Sequence, residues 1–460
     1  MNGPKQEKEM RAAFREQTGR ILAFPERFEK SGQSCRIGFE SEIAIHADEL
    51  ALADLERTRN AIIGEMPGAA DVELGAAQIE LRTNPFDILA AGVFGEIAAE
   101  YRKNFQLAAA AAKKHGCSLL RVGANPFLPV KNTPRTNTPK YRLVPDFYNR
   151  HRPKEADTII GLGKHRIDIG DAAVVSLFQS FQVNLEACSF ADALDKMNRT
   201  LMLAPYLLAM SANARYLEFL DTRIQDTRLL AWQLSHDTRV QDLRLLSWEK
   251  AFEVRTAEEK AAGRALRVGL PERYFADMAD YLKRAGEFPF ILHRPEAALG
   301  IAIGMTWLDA RVKFIGDSLV VELRLLPTQP TLEEELLLAL LYIGRLIDSQ
   351  TRREVLLPLY YVRENRLSAM LHGSRPSLWF LSDEGKPLRL PCKTGLKEEI
   401  ARAKRGLSSL GLLNLLDAEL LKSVIKNGPP SERLAKSLRK LGGLASEQMK
   451  QALRETQMLV

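Results

Sequence analysis

The chain has 460 residues, 46% hydrophobic and 27% charged, the make-up of an ordinary soluble globular protein with room for one large catalytic domain and an accessory piece. No apolar run approaches the ~20 residues of a membrane span and the N-terminus is charged rather than signal-like, so a cytoplasmic protein without a membrane partner is expected. The net charge of +7 gathers in residues 394–460, where 12 Lys and Arg face 7 Asp and Glu with no interleaved aromatic residue, a solvated helical surface rather than a nucleic-acid site.

Residues 1–35 read as a charged helical leader running into a first strand at Cys35. In Gly38–Ile45, period-two alternation puts Glu40 and Glu42 on one face and Phe39, Ser41, Ile43 and Ile45 on the other. A helix over Asp48–Ile63 leads to a second acidic segment, Glu73–Pro85, whose polar face is Gln78, Glu80 and Arg82. Ala90–His115 reads as a helix closed by Gly116, followed by a short buried strand at Ser118. From Asn125 to Arg166 prolines alternate with Asn, Thr and basic residues, which predicts a long loop or lid. Its Arg135, Lys140, Arg142, Arg150 and Arg152 either gather phosphate or carboxylate groups or simply solvate the loop.

In Phe181–Glu186 the polar face is Gln182, Asn184 and Glu186, and Ser189 with Asp192 forms a capping box for a helix from Ala191 to Ala212. The arginines of residues 214–250, Arg228 among them, sit beside acids at spacings that also suit surface ion pairs. Arg311–Ile315, a Gly316-Asp317 turn and Ser318–Arg324 predict a hairpin that sets Arg311 opposite Glu322, with Glu322 and Arg324 on one face. Leu332–Asp348 is an apolar helix, and Glu364 through Gly373 begins another. Beyond Pro391 the tail reads as separable helices whose stripe of Leu412, Leu413, Leu415, Leu416, Leu420, Leu421 and Val424 must bury against the catalytic domain or a second copy of the chain. Cys35, Cys117, Cys188 and Cys392 form no CxxC, so neither a zinc site nor a disulfide framework is expected.

Four strands, each apolar behind and carboxylate or amide in front, predict an α+β fold with a mainly antiparallel sheet lining a wet, charged surface. Facing carboxylates repel unless cations neutralise them, and oxygen-only ligands suit Mg²⁺ or Mn²⁺ held with phosphates.

In that order the motifs resemble the glutamate–cysteine ligase 2 family, carboxylate–amine ligases of the glutamine-synthetase-like superfamily. Gly38-Phe-Glu-Ser-Glu42 is similar to its Gly-x-Glu-x-Glu opening, and Glu73 with Gln78-Ile-Glu80 to its second acidic segment. Gln182-Val-Asn-Leu-Glu186 resembles a strand of the plant-type branch, Arg228-x₃-Trp232 its Arg-x₃-Trp segment, and Glu364-Asn-Arg366 with His372-Gly373 its Glu-Asn-Arg…His-Gly element.

The resemblance implies a catalytic domain over residues 36–390 with a concave sheet as active-site floor, helices packed behind it, and a helical region over 391–460. It implies an ATP-dependent ligase working through an acyl phosphate, with glutamate as carboxylate and cysteine or another amine as acceptor. Glu40, Glu42, Glu73, Glu80 and Glu322 would hold Mg²⁺ or Mn²⁺, and Gln182, Asn184, Arg311 and Lys313 would serve the nucleotide. Arg324 would steady the transferred phosphoryl group and Arg228 would bind a substrate carboxylate. A kinase of the same superfamily, or a non-catalytic relative acting through its basic tail, are the alternatives.

Overall fold

In the computed structural model, which describes residues 4–30, 36–88, 92–154, 156, 158–162, 165–221, 243–261 and 267–460, the four alternating segments are strands of one sheet. Its strands are β1 (Arg36–His46), β2 (Ala70–Val72), β3 (Gln78–Arg82), β4 (Phe86–Asp87), β5 (Ser118–Leu120), β6 (Phe181–Ala187), β7 (Ala310–Ile315) and β8 (Ser318–Leu323). They run β7-β8-β6-β1-β3-β2, with β4 and β5 also on β1, and every pairing is antiparallel.

The register does what the alternation predicted. Glu322 stands opposite Arg311 on one side and Asn184 on the other, Glu40 opposite Gln182 and Arg82, and Glu42 opposite Glu80. The Gly316-Asp317 turn closes β7 and β8, and Gly316 takes a φ of 59° that a glycine tolerates without strain.

Behind the sheet Phe39, Ile43, Ile79, Leu81, Val183, Leu185, Val321 and Leu323 are all 1% exposed or less. Helices Val93–Lys114, Phe190–Ser211 and Leu332–Thr351 cover this side. Among them lies a buried ion pair, Arg121 Nη2 to Glu335 Oε2 at 2.8 Å, with Tyr101, Ser41 and the Gln329 amide donating to the same carboxylate. A carboxylate taken out of water needs that many partners.

Three elements differ from the expected ones. The segment 125–166 is not a structureless loop: it holds a helix, Pro139–His151, and a hairpin, Ile159–Leu162 with His165–Asp168. Thr138 accepts from Tyr141 N as the N-cap, Pro139 needs no amide partner in the first turn, and Tyr148 stacks on Phe252 at 4.2 Å. The Glu364–Gly373 stretch ends a helix, Leu359–His372, instead of beginning one, and Gly373 caps it. In the tail, a short 3₁₀ turn at Leu413–Leu415 breaks the leucine stripe, so Leu412, Leu416, Leu421 and Val424 are buried while Leu413 and Leu415 stay exposed.

The apolar core runs without a break from Met10 and Phe14 of the N-terminal helix to Leu396 and Val424 of the tail. Helices Leu332–Thr351 and Cys392–Ser409 touch backbone to backbone where Gly344 meets Gly406, a place with no room for a Cβ. The last residues return to the sheet: Leu119 and Val460 exchange backbone bonds of 2.7 and 2.9 Å, and Arg121 N donates to Met458 O. Met458, 0% exposed, fills a second cluster with Ala44, Leu120, Leu434 and Leu453. Met458→Ala should therefore cost about 2–4 kcal/mol, read as a lower urea midpoint, whereas a detachable tail would lose almost nothing.

Candidate active site

Glu322 is 0% exposed on the polar face, and a carboxylate there survives only with cations around it. Lys313 Nζ lies 2.6 Å from Oε1 and Arg324 Nη1 2.5 Å from Oε2, while Arg311 Nε donates to Oε2 as well. Burial pushes the Glu322 carboxyl up, but Arg311, Arg324 and Lys313 override it and hold it well below the usual carboxylate range.

The neighbouring strands orient a second pair of acids. Glu42 Oε2 accepts from Ser180 N at 2.8 Å and its Oε1 from Gln182 Nε2 at 3.2 Å. The Gln182 carbonyl oxygen in turn accepts from Arg324 Nη1 at 3.3 Å, so one amide fixes an acid and a guanidinium together. Asn184 Nδ2 donates to Glu40 Oε1 at 3.1 Å, and Lys313 Nζ reaches the same oxygen at 3.2 Å. Lys313 and Glu40 stand on β7 and β1 with two strands between them, a span of ~14 Å along a flat sheet, so their meeting marks the polar face as concave.

At the acidic edge Glu73 projects from a turn that is tied down from below. Fully buried Arg59 donates to Gly75 O, Gln78 O and Thr136 Oγ1, while Gln78 accepts from Gly75 N and donates to Phe178 O. Gln78 thus holds the turn, although it also lines the cleft. Tyr141, from the helix that the sequence reads as a loop, donates to Glu73 Oε2 at 3.3 Å. Burial together with Glu73, Glu40 and Glu42 drives the Glu80 carboxyl well above its usual range, against a smaller pull from Arg82.

Glu40, Glu42, Glu73, Glu80, Gln182, Arg311 and Arg324 line one cleft of about 1080 Å³, counting its open mouth, whereas Glu322, Lys313 and Asn184 lie behind that lining and reach it through their partners. Its floor is Glu40, Glu42, Glu80, Gln182, Arg311 and Arg324, and its walls bring in Lys140, Tyr141, Trp248, Phe252 and Trp307. The aromatic wall escapes sequence reasoning because its members come from three distant segments with no shared spacing. Among the described basic side chains of 125–166, Lys140 lines the cleft; Arg135 is spent on Asp146 and Arg152 on Ala251 O. Arg366 binds Asp309 through Nε and Nη2 at 2.6 and 3.1 Å, and Asp309 O accepts from Arg324 N, so the Glu-Asn-Arg motif steadies the strand end that carries Arg324. Arg228, Trp232, Asp237 and Arg239 lie outside the described residues.

Among the described residues no three His, Cys, Asp or Glu side chains converge as ready metal ligands. Glu322 and Glu40 are engaged instead by the protein's own cations. The donor set nonetheless suits a hard divalent ion: every candidate ligand is oxygen, Glu80 is strained by three like charges, and the buried Asn184 Oδ1 has no hydrogen-bond partner among the described residues.

The profile of glutamate–cysteine ligase family 2 matches residues 36–384. No curated protein matches the chain in sequence. In fold the chain is similar to a bifunctional glutathione synthetase from Pasteurella multocida, at TM-score 0.52 and 11% identity, covering 95% of this chain and 54% of that one. This chain thus spans about half the length of that protein. A glutamate–cysteine ligase from Francisella tularensis in complex with AMP gives TM-score 0.48 and 15% identity over 93% of this chain and 89% of that one. The ligase PafA, in complex with the ubiquitin-like protein Pup, gives 0.42 and 10% over 91% and 71%.

Because the Glu80 carboxyl titrates higher in the folded than in the unfolded chain, its ionisation costs stability as pH rises through and above the ordinary carboxylate range. In metal-free buffer Glu80→Gln should raise the melting temperature by a few degrees at about pH 7, with the gain fading toward about pH 4. A variant less stable than wild type at neutral pH would show that Glu80 is not under net repulsion.

Proposed function

The chain belongs to glutamate–cysteine ligase family 2, and from that premise we propose that its cleft joins a carboxylate to an amine using ATP, with glutamate as the carboxylate and cysteine or another small amine as the acceptor. The observation that supports this best is the pairing, on one concave face, of an acid group (Glu40, Glu42, Glu73, Glu80) with a cation group (Arg311, Lys313, Arg324).

Condensation of a carboxylate with an amine fails in water at neutral pH because hydroxide is a poor leaving group. Phosphorylation solves this: a carboxylate oxygen attacks the γ-phosphorus of ATP, ADP leaves, and the amine then displaces phosphate from the acyl carbon. Negative charge accumulates on the transferring phosphoryl oxygens, and preorganised cations lower that barrier. Arg324 suits this task, since Gln182 and Glu322 fix its guanidinium before any ligand arrives. Arg311, held by Glu322 and by Gly304 O at 3.3 Å, lies beside it.

Mg²⁺ or Mn²⁺ bound through Glu40, Glu42, Glu73, Glu80 and Glu322 would neutralise the nucleotide's phosphates. Gln182 and Asn184 aim two of those acids, so we assign them as positioning residues that serve the nucleotide indirectly. Glu322 would have to give up part of its cation cage to take an ion. Arg228 is assigned to the substrate carboxylate on its motif alone. Tyr141 and the helix Pro139–His151 border the acidic edge, where they would keep water from an acyl phosphate.

The test is release of ADP and phosphate from ATP and Mg²⁺ with a panel of acids and amines. Turnover should need one of each. ADP formed without any amine would make the protein a kinase, and none with any pair would make it non-catalytic. Arg324→Lys keeps the charge but loses the planar fork, and should lower kcat about 10²-fold while the melting temperature moves little.

A further inference from the structure

Two of the carboxylates that the ligase reading gives to a metal ion, Glu40 and Glu322, already share a cation. Lys313 Nζ lies 3.2 Å from Glu40 Oε1 and 2.6 Å from Glu322 Oε1. It reaches them from opposite Val320 on β7, the diagonal position to Glu322, and the curl of the sheet brings β1 within range.

We propose that Lys313 is a resident counter-ion of the metal-free site, which a divalent cation must displace before it can bind Glu40 and Glu322 together. The inference deepens the ligase reading and rests on it. An ammonium group and a divalent ion cannot occupy the space between the same two oxygens, because their repulsion adds to the steric conflict. Each therefore excludes the other.

Two further observations fit this exchange. Glu322 does not depend on Lys313 alone, since Arg311 and Arg324 stay on its other oxygen, so release of the lysine leaves the buried carboxylate paired. Glu40 is different: without Lys313 its remaining hydrogen bond is the one from Asn184 Nδ2. The buried Asn184 Oδ1, opposite Glu322 in the register, accepts from no described group and Lys313 does not use it. The residue that orients Glu40 thus also carries a neutral oxygen, the ligand type that suits a hard divalent ion and that Lys313 leaves idle.

The exchange gives the protein a way to keep its floor folded without metal while opposing binding of a bare divalent ion. Nucleotide would then assist metal binding by bringing phosphate oxygens that add to the ion's coordination and attract the released ammonium group.

The experiment is a titration of the purified 460-residue chain with Mn²⁺ and no nucleotide, following the free-ion paramagnetic resonance signal, on wild type, Lys313→Met, Lys313→Gln and Lys313→Arg. Removing the charge should tighten Mn²⁺ binding by about tenfold in the Met and Gln variants, the loss of one competing charge-assisted contact, with Arg close to wild type. Thermal melts supply an independent readout: Mn²⁺ should raise the melting temperature of Lys313→Met and Lys313→Gln more than that of wild type. Equal or weaker Mn²⁺ binding in both neutral variants overturns the exchange and leaves the ligase reading standing. No Mn²⁺ binding by any of the four proteins, with or without ATP, overturns the exchange and the metal site together.

Discussion

One buried carboxylate organises the site. Glu322 has no solvent to share its charge, and leaving such a carboxylate unpaired costs about 3–5 kcal/mol, so Arg311 and Arg324 are fixed where they stand and Lys313 joins them as a third cation. The arrangement propagates through further bonds. Arg324 bonds Gln182, Gln182 bonds Glu42, Lys313 bonds Glu40, and Glu40 bonds Asn184. A chain of charge-assisted contacts crosses β7, β8, β6 and β1, and loss of any strand would strand a charge in a dry place.

The opposite side of the sheet repeats the logic at a smaller scale. Arg121 and Glu335 sit under Ser41, one residue from both Glu40 and Glu42, and Tyr101 and the Gln329 amide complete the set. A strand held by an ion pair on one face and by a hydrogen bond to a buried ion pair on the other has little freedom to shift register, and a slip of one residue would turn every acid of β1 into the core. The close Gly344–Gly406 contact and the return of Val460 to β5 then tie the tail into the same framework, although the tail brings no side chain to the cleft.

Much of this was legible in the sequence for a simple reason: the polar face of a half-buried strand is written at every second residue. Glu40 and Glu42, Gln182 and Asn184, Glu322 and Arg324, and the turn that sets Arg311 opposite Glu322 all follow from that period and a Gly-Asp pair. What lay hidden depends on chain returns that no local period encodes. Tyr141 stands in a proline-rich stretch whose composition suggests a loop, yet Pro139 occupies a first turn where it does no harm and Thr138 caps it. Trp248 and Phe252 are neighbours one helical turn apart, but Trp307 joins them only in three dimensions. Alternation also cannot say what a polar side chain binds: Gln78 points from the right strand but spends its amide on Gly75 and Phe178.

The charges on the floor are graded rather than mixed. Cations cluster at β7 and β8, where Glu322 is overpaired and held ionised, and acids cluster at β1 and β3, where Glu80 is pushed toward its neutral form. A ligand that carries both signs, a polyanion with its own hard cations, relieves both ends at once: its phosphates meet the arginines and its cations meet the acids. A bare anion would relieve only the cation end and a bare metal ion only the acid end. The gradient therefore suits a ligand that brings both signs together, and Glu80, raised by burial and by Glu73, Glu40 and Glu42, marks the acid end where an added cation would lower the repulsion.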